Sequence, residues 1–383
     1  MHDIYLDHAT TTPLHPGVRA AMLPFLDARF GSPTTSHRRG REARATIEMA
    51  RVAVARLFQT SPEEILFTAS ATEANNLALK GLAARTGGGR ILAAATEHMS
   101  VLHPLRSLER HGFQIVLIGV GRDGTIDLDH LGVELRAGAL LLTVALASDE
   151  IGTLQPIDEI GSLARQHGVP WHCDATAAAG RLPFPEPQRL PDLMTIAPHL
   201  FNGPQGVAAL RVRPGLRLLP LIEGGIQEGG LRAGTEPLAL LAGFGAAADL
   251  AIREGAQKAV ADAARAAALR SLLTEGGDGL IFTGHPSRRV PGHVSVCVRG
   301  VEAEALLQAL DADGIAASSG SACTTEVGKP SHVLQAMGLD PLVARGALTF
   351  AFGRGNVDGD VGTAAASLLA AVSRLRRISP YGA

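Results

Sequence analysis

Residues 64–76 read EILFTASATEANN. A short apolar run, EILFTA, ends in a loop of small and hydroxyl residues that opens directly into NNLALKGLAARTG, a segment with apolar residues at helical spacing and a terminal Gly. Further apolar runs follow at RILAAAT (90–96), QIVLIGV (114–120), ALLLTVALA (139–147), VPWHCD (169–174), LMTIA (193–197) and GVAALRV (206–212). Between two of these runs, IDEIGSLARQHG repeats the helical pattern. Continuous apolar strands separated by helices imply an α/β fold with a mainly parallel, seven-stranded sheet covered on both faces. From about residue 246 the pattern changes: an Ala-rich helix over roughly 246–274 leads to HVSVCVRG, an amphipathic helix near 302–312 and a Ser/Gly-rich loop. That change predicts a smaller C-terminal α+β domain. The expected division is 13–245 for the large domain, with 1–12 and 246–383 forming the small one.

Composition narrows the function classes. In 383 residues, 46% hydrophobic and 19% charged content is that of a core-forming chain, and a net charge of −2 leaves no electrostatic footprint for nucleic acid or an anionic membrane. The opening MHDIYLDHATTTP lacks the basic and apolar regions of a signal peptide, and apolar runs such as GALLLTVALA are too short to span a bilayer. The expectation is a cytoplasmic protein without nucleic-acid or membrane partners. Cys173, Cys297 and Cys323 lie far apart without metal-ligand spacing, which argues against a disulfide framework or a zinc site. Lysine occurs only at Lys80, Lys258 and Lys329, so any lysine chemistry has three candidates.

In such a sheet, functional groups belong at the carboxyl ends of the strands. After EILFTA, the helix start at Ala71 and Thr72 offers backbone N–H groups and a hydroxyl that suit a phosphate, although the same pattern describes an ordinary N-cap. After RILAAAT comes EHMSV with His98; after ALLLTVALA comes SDEIG with Asp149; after VPWHC comes Asp174. After LMTI comes APHLFNGPQG (197–206), in which polar His199 and Asn202 flank two apolar residues.

These motifs, with LDHATTTP, FGSP, DEIGTLQP, HCDATAAAG, GGIQEGGLRAGTEP and SSGSACTTEVGKPSHVL in order along essentially the whole chain, resemble a cysteine desulfurase of the class V aminotransferase family. The resemblance implies the fold-type I pyridoxal-phosphate architecture and a homodimer with both sites near the interface. Carried over by position, Ala71, Thr72 and His199 hold the cofactor phosphate with Thr235 of RAGT from the partner subunit. His98 stacks on the pyridine ring and shuttles protons, Asp174 pairs with the pyridinium nitrogen, and Arg354 in TFAFGRGN takes the substrate carboxylate. Cys323 in SSGSACTT matches the persulfide-carrying nucleophile, whereas Cys173 and Cys297 fall in predicted strands as buried small residues.

The chain departs from the family at the position that matters most. The family has lysine after His199, forming the Schiff base with the cofactor; here Leu200 stands there, and leucine can neither form that bond nor move a proton. Ala197 replaces a phosphate-binding serine, Ala177 a glutamine, Asp149 an asparagine, and Ser32 a common asparagine. The expectation is an eroded cofactor pocket, with pyridoxal phosphate bound non-covalently, weakly or not at all, beside an intact cysteine loop. Three functions follow. The first is a desulfurase-like protein of sulfur transfer or iron–sulfur assembly that keeps Cys323 for persulfide handling or as one iron–sulfur cluster ligand. The second is an enzyme using non-covalent pyridoxal or pyridoxamine phosphate, with His98 or His199 as base. The third is a non-catalytic subunit partnering an active desulfurase paralogue. Expected partners are a second copy or that paralogue, and a sulfur acceptor or cluster scaffold.

Overall fold

The computed structural model describes residues 3–320 and 330–378. The chain opens on β1 (Ile4–Tyr5) and builds a seven-stranded sheet from β2 (Ile65–Thr68), β3 (Arg90–Ala94), β4 (Gln114–Ile118), β5 (Leu141–Thr143), β6 (Trp171–Asp174), β7 (Leu193–Ile196) and β8 (Ala208–Val212). The strand order is β2-β8-β7-β6-β5-β3-β4, and only β8 runs antiparallel to its neighbours β2 and β7. The α/β sheet expected from the sequence is therefore present. Within it β5 is shorter than the apolar run 139–147, because Val144 and Leu146 leave the ladder while their N–H groups still bond the carbonyls of His172 and Asp174.

Helices α1 (Pro16–Leu26), α2 (Arg38–Phe58), α3 (Ala71–Ala83), α4 (Met99–Arg110), α5 (Leu128–Arg136), α6 (Ile157–Gln166) and α7 (Leu238–Gly276) accompany this sheet. Side chains alternate between its faces, as the pleat requires. Ile91, Ala93, Leu141, Leu193 and Leu210 pack with Leu77 of α3 and Leu105 of α4. Leu92, Ala94, Leu142, Met194 and Ala209 pack on the other face with Ile47 of α2, Leu131 of α5, Ile160 of α6 and Phe244 of α7.

A second sheet joins β9 (Leu280–Phe282), β10 (His293–Val298) and β12 (Ala347–Ala351), antiparallel in the order β12-β10-β9. Between them lie α8 (Ala303–Ala312) and β11 (Ile315–Ala316), which pairs in parallel with β1; α9 (His332–Ala336), α10 (Pro341–Ala344) and α11 (Asp358–Arg376) complete the chain. Ile4, Leu6, Val296, Leu306, Phe350 and Leu368 share one core here with Leu269 and Leu273 of α7. That helix begins at Leu238 rather than near 246, directly after Pro237. Gly243 and Gly245 hide its start in the sequence, yet they permit close packing: a Cβ on Gly245 would come within 2.9 Å of the Ala50 Cα on α2.

Candidate active site

The carboxyl ends of β2, β3, β5, β6 and β7 surround a cavity of about 280 Å³, lined by Ala71, Thr72, His98, Asp149, Asp174, His199 and Leu200 among others. At its α3 end, the Ser70 Oγ accepts from Glu73 N at 3.1 Å, and Ala69 N donates to the Glu73 carboxylate at 2.9 Å. Glu73 also holds Arg232 at 2.9 Å, tying the helix start to the RAGT segment. These caps fix the first turn and leave the N1 and N2 amides, on Ala71 and Thr72, at the positive end of the helix dipole.

The polar side chains form one connected chain. The His98 Nδ1 lies 2.7 Å from the Ser100 Oγ, which accepts from the Asn75 Nδ2 at 2.8 Å; that amide also donates to the Asp174 Oδ2 at 2.7 Å. Thr176 N donates to the other Asp174 oxygen at 2.9 Å. Asn75 and Ser100 were not singled out from the sequence, although the signal was there. Asn75 sits one helical turn after Ala71, and Ser100 two residues after His98.

Behind Asp174, burial pushes the Glu97 carboxyl up to about 8, with Asp174 and Asp149 adding repulsion. One Glu97 oxygen accepts from Ala145 N at 2.8 Å and the other has no partner. Burial lowers the His199 pKa, against the attraction of Asp174. The His199 carbonyl accepts from Thr12 N at 2.8 Å and Thr12 Oγ1 at 2.7 Å, and Thr12 Oγ1 accepts from Asn202 N. The opening TTTP segment thus clamps the turn that carries His199 and Leu200.

Leu200 is 6% exposed and lines both this cavity and a smaller neighbour. No lysine lines the larger cavity among the described residues. Lys80 lies in the last turn of α3, Lys258 pairs with Glu254 at 2.7 Å, and Lys329 lies outside the described residues. Of the other departures, Asp149 and Ala177 line the cavity. Ala197 does not: it is fully buried at the end of β7. Ser32 bonds Thr34 in a loop elsewhere. The expected convergence on one pocket therefore holds for three positions out of five.

Arg354 lines the smaller cavity instead, and Thr235 is exposed without lining this chain's own site. Cys323 lies outside the described residues, as does its suggested role as a cluster ligand. Cys173 and Cys297 are fully buried, and burial raises both thiols, Cys297 to about 12, which removes them as nucleophiles near neutral pH.

Residues 4–362 match the family described as aminotransferase class-V. The chain belongs to that family. It is 39% identical over 381 residues to a protein of Archaeoglobus fulgidus named Cysteine desulfurase IscS 1, covering 98% of each. A solved structure titled NifS-like protein matches 98% of this chain and all of its own, with a TM-score of 0.90 at 28% identity. Another, titled SspA in complex with cysteine, covers 92% of this chain and 100% of its own at 30% identity, with a TM-score of 0.81.

Class-V membership implies pyridoxal phosphate, and the residues present fit it in part. The capped start of α3 suits a phosphate, the fixed Asp174 carboxylate suits a pyridinium nitrogen, and Thr176 Oγ1, buried at the cavity wall, has no partner of its own. Among the described residues the lining offers no amine for a covalent attachment.

Proposed function

We propose that this chain is a cysteine desulfurase-like protein of sulfur transfer or iron–sulfur cluster assembly that works without lysine chemistry. One observation carries the reading: Leu200, buried in the cavity wall beside His199, stands where the resemblance calls for the lysine, and no lysine of the described chain lines that cavity. Cys323 would handle sulfur by taking it from a donor persulfide. Its thiolate attacks the outer sulfur, an S–S bond forms as the donor S–S bond breaks, and the donor leaves as a thiolate. The acceptor would be a sulfur-accepting or cluster-scaffold protein, and an iron–sulfur cluster held partly by Cys323 is the alternative use of the same thiol.

The intact chain His98–Ser100–Asn75–Asp174 favours a second reading, in which the pocket still takes pyridoxal or pyridoxamine phosphate non-covalently. When bound, that group supplies an electron sink for bonds at an amino acid's α carbon. Ala71 and Thr72 amides would hold the phosphate, with Thr235 from the partner subunit, and Asp174 would hold the ring nitrogen. His98, oriented by Ser100, would be the proton carrier, while Leu200 excludes water and carries no proton. Asp149 at the cavity wall adds negative charge and weakens affinity for an anionic cofactor.

A homodimer, or a pair with an active paralogue, supports the role given to Thr235, and a cytoplasmic setting accords with the absence of any helix, among the described residues, long and apolar enough to cross a membrane. The test is borohydride reduction with pyridoxal phosphate present, followed by peptide mass spectrometry. No phosphopyridoxyl lysine is expected. An adduct on Lys80, Lys258 or Lys329 overturns the reading.

A further inference from the structure

Residues 222–235, which end on the RAGT segment, form a loop that closes on itself: Ala233 N donates to the Ile222 carbonyl at 3.2 Å. Two ion pairs tie it to the rest of the chain, Arg232 to Glu73 at 2.9 Å and Glu228 to Arg51 of α2 at 2.8 Å. Within the loop Glu228, Gly229 and Gly230 take positive φ in succession, 48°, 65° and 81°. A Cβ on Gly229 or Gly230 would meet nothing within 4 Å, so glycine stands there for its backbone alone. Glu228 adopts the same left-handed conformation while carrying a side chain, which glycine would do without strain. Such a conformation persists only where its surroundings over-determine it.

The carboxylate is what over-determines it. The Glu228 side chain is 3% exposed. Arg51 Nη1 donates to its Oε2 and Nη2 to its Oε1, both at 2.8 Å, a parallel two-pronged contact that fixes direction as well as distance. Glu228 Oε2 also accepts from Phe67 N at 2.8 Å, and Arg51 donates to the Ile65 carbonyl at 2.7 Å. Strand β2 stands at the end of the sheet with β8 as its one strand neighbour, so the pair closes an otherwise open edge. A side chain from α2 alone could cap that edge. Drawing the cap from a strained loop also fixes the loop, in a shape that leaves Ile222, Ile226 and Thr235 exposed.

We propose that Glu228 is a positioning residue: clasped to Arg51 and the edge of β2, it holds residues 222–235 in the shape that a second copy of this chain meets, and so sets where Thr235 is delivered. The inference rests on the proposed delivery of Thr235 across a homodimer. A loop ordered before association has less freedom to lose when the partner arrives, so the clasp contributes to affinity without itself touching the partner.

The test is brief thermolysin digestion of the full chain under native conditions, read by mass spectrometry, beside the dimer dissociation constant from sedimentation. Glu228→Gly relieves the strain and removes the clasp. Cleavage before Ile222, Ile226 and Leu231 should then run about tenfold faster or more, and the dimer should weaken by a similar factor, the scale of a lost charged hydrogen bond. Arg51→Lys keeps a cation on an apolar stem without the fork, so it retains the fold even where the glycine variant does not, and should shift both readings the same way by less. A merely structural edge cap speeds cleavage across the whole chain instead of within the loop. That pattern, unchanged loop cleavage in both variants, or a loosened loop with an unchanged dimer constant overturns the proposal. A native chain that sediments as a monomer overturns the delivery to a second copy, while loop-confined cleavage in Glu228→Gly upholds the clasp by itself.

Discussion

Leu200 occupies a position where one side chain decides whether a pocket does covalent chemistry, and its surroundings keep the marks of ionisable work. Glu97 and Glu150, both buried, have carboxyls pushed up to about 8 by burial. A carboxyl whose folded pKa lies above its unfolded value gives stability that is complete below about 4.5 and is lost as pH rises through 8. The buried histidines act oppositely: His8 and His172 near 4 and His293 near 3 lie below the ordinary 6.5, so their contribution is lost as pH falls through that range. Between pH 6.5 and 8 the two carboxyls, among the described residues, therefore pull stability down while the histidine contribution is nearly complete. Glu97→Gln keeps the acceptor for Ala145 N and removes one titration. Its unfolding free energy, measured by denaturant titration, is expected to gain on the native chain as pH rises from 5.5 to 8, by up to about 1.4 kcal/mol per pH unit. A gap that stays constant across that range contradicts a raised Glu97.

At the scale of elements, most of the site was legible because strand ends announce it. Apolar runs located the strands, and the residue types just after them located Thr72, His98, Asp149, Asp174 and His199, all of which line one cavity. What periodicity could not give was the link between elements. Asn75 reads as one more polar residue of an α3 segment, and only the packing of α3 against α4 and the end of β6 shows it joining Ser100 to Asp174. The same limit hid Lys258 and Arg354, which meet in a cavity although 96 residues apart in number. Removing the link tests it. Asn75→Ala strands two buried partners and should cost about 1–3 kcal/mol in denaturant unfolding. Asn75→Asp sets a second carboxylate at the 2.7 Å contact with Asp174 and should cost more. If the aspartate variant is no less stable than the alanine variant, the side chains are not joined as described.

For the whole molecule, the surface carries the information that a single chain's sequence pattern conceals. Helical periodicity marks which residues face away from the nearest sheet, and it cannot separate a solvent face from a partner face. Leu26 at the end of α1 and Phe30 in the loop after it, Met49 and Val52 on α2, and Ile222 and Ile226 before the RAGT segment are exposed apolar side chains, with Ile226 88% exposed. Ile226 shares a groove of about 730 Å³ with Pro33, Arg44 and Ile47, so the turn before RAGT and α2 present one concave surface. A strongly exposed apolar side chain at the rim of such a groove marks an interaction site. The proposed homodimer accounts for them, and it would bring Thr235, exposed nine residues further on, toward the partner's cavity. Ile226→Asp places an unpaired charge in that contact while touching no core of its own chain. Light scattering after gel filtration should report a dimer for the native chain and a monomer for Ile226→Asp, with the melting behaviour of the separated chain showing a retained fold. A native chain that runs as a monomer at micromolar concentration removes the second copy as the occupant and leaves the paralogue pairing as the source of Thr235.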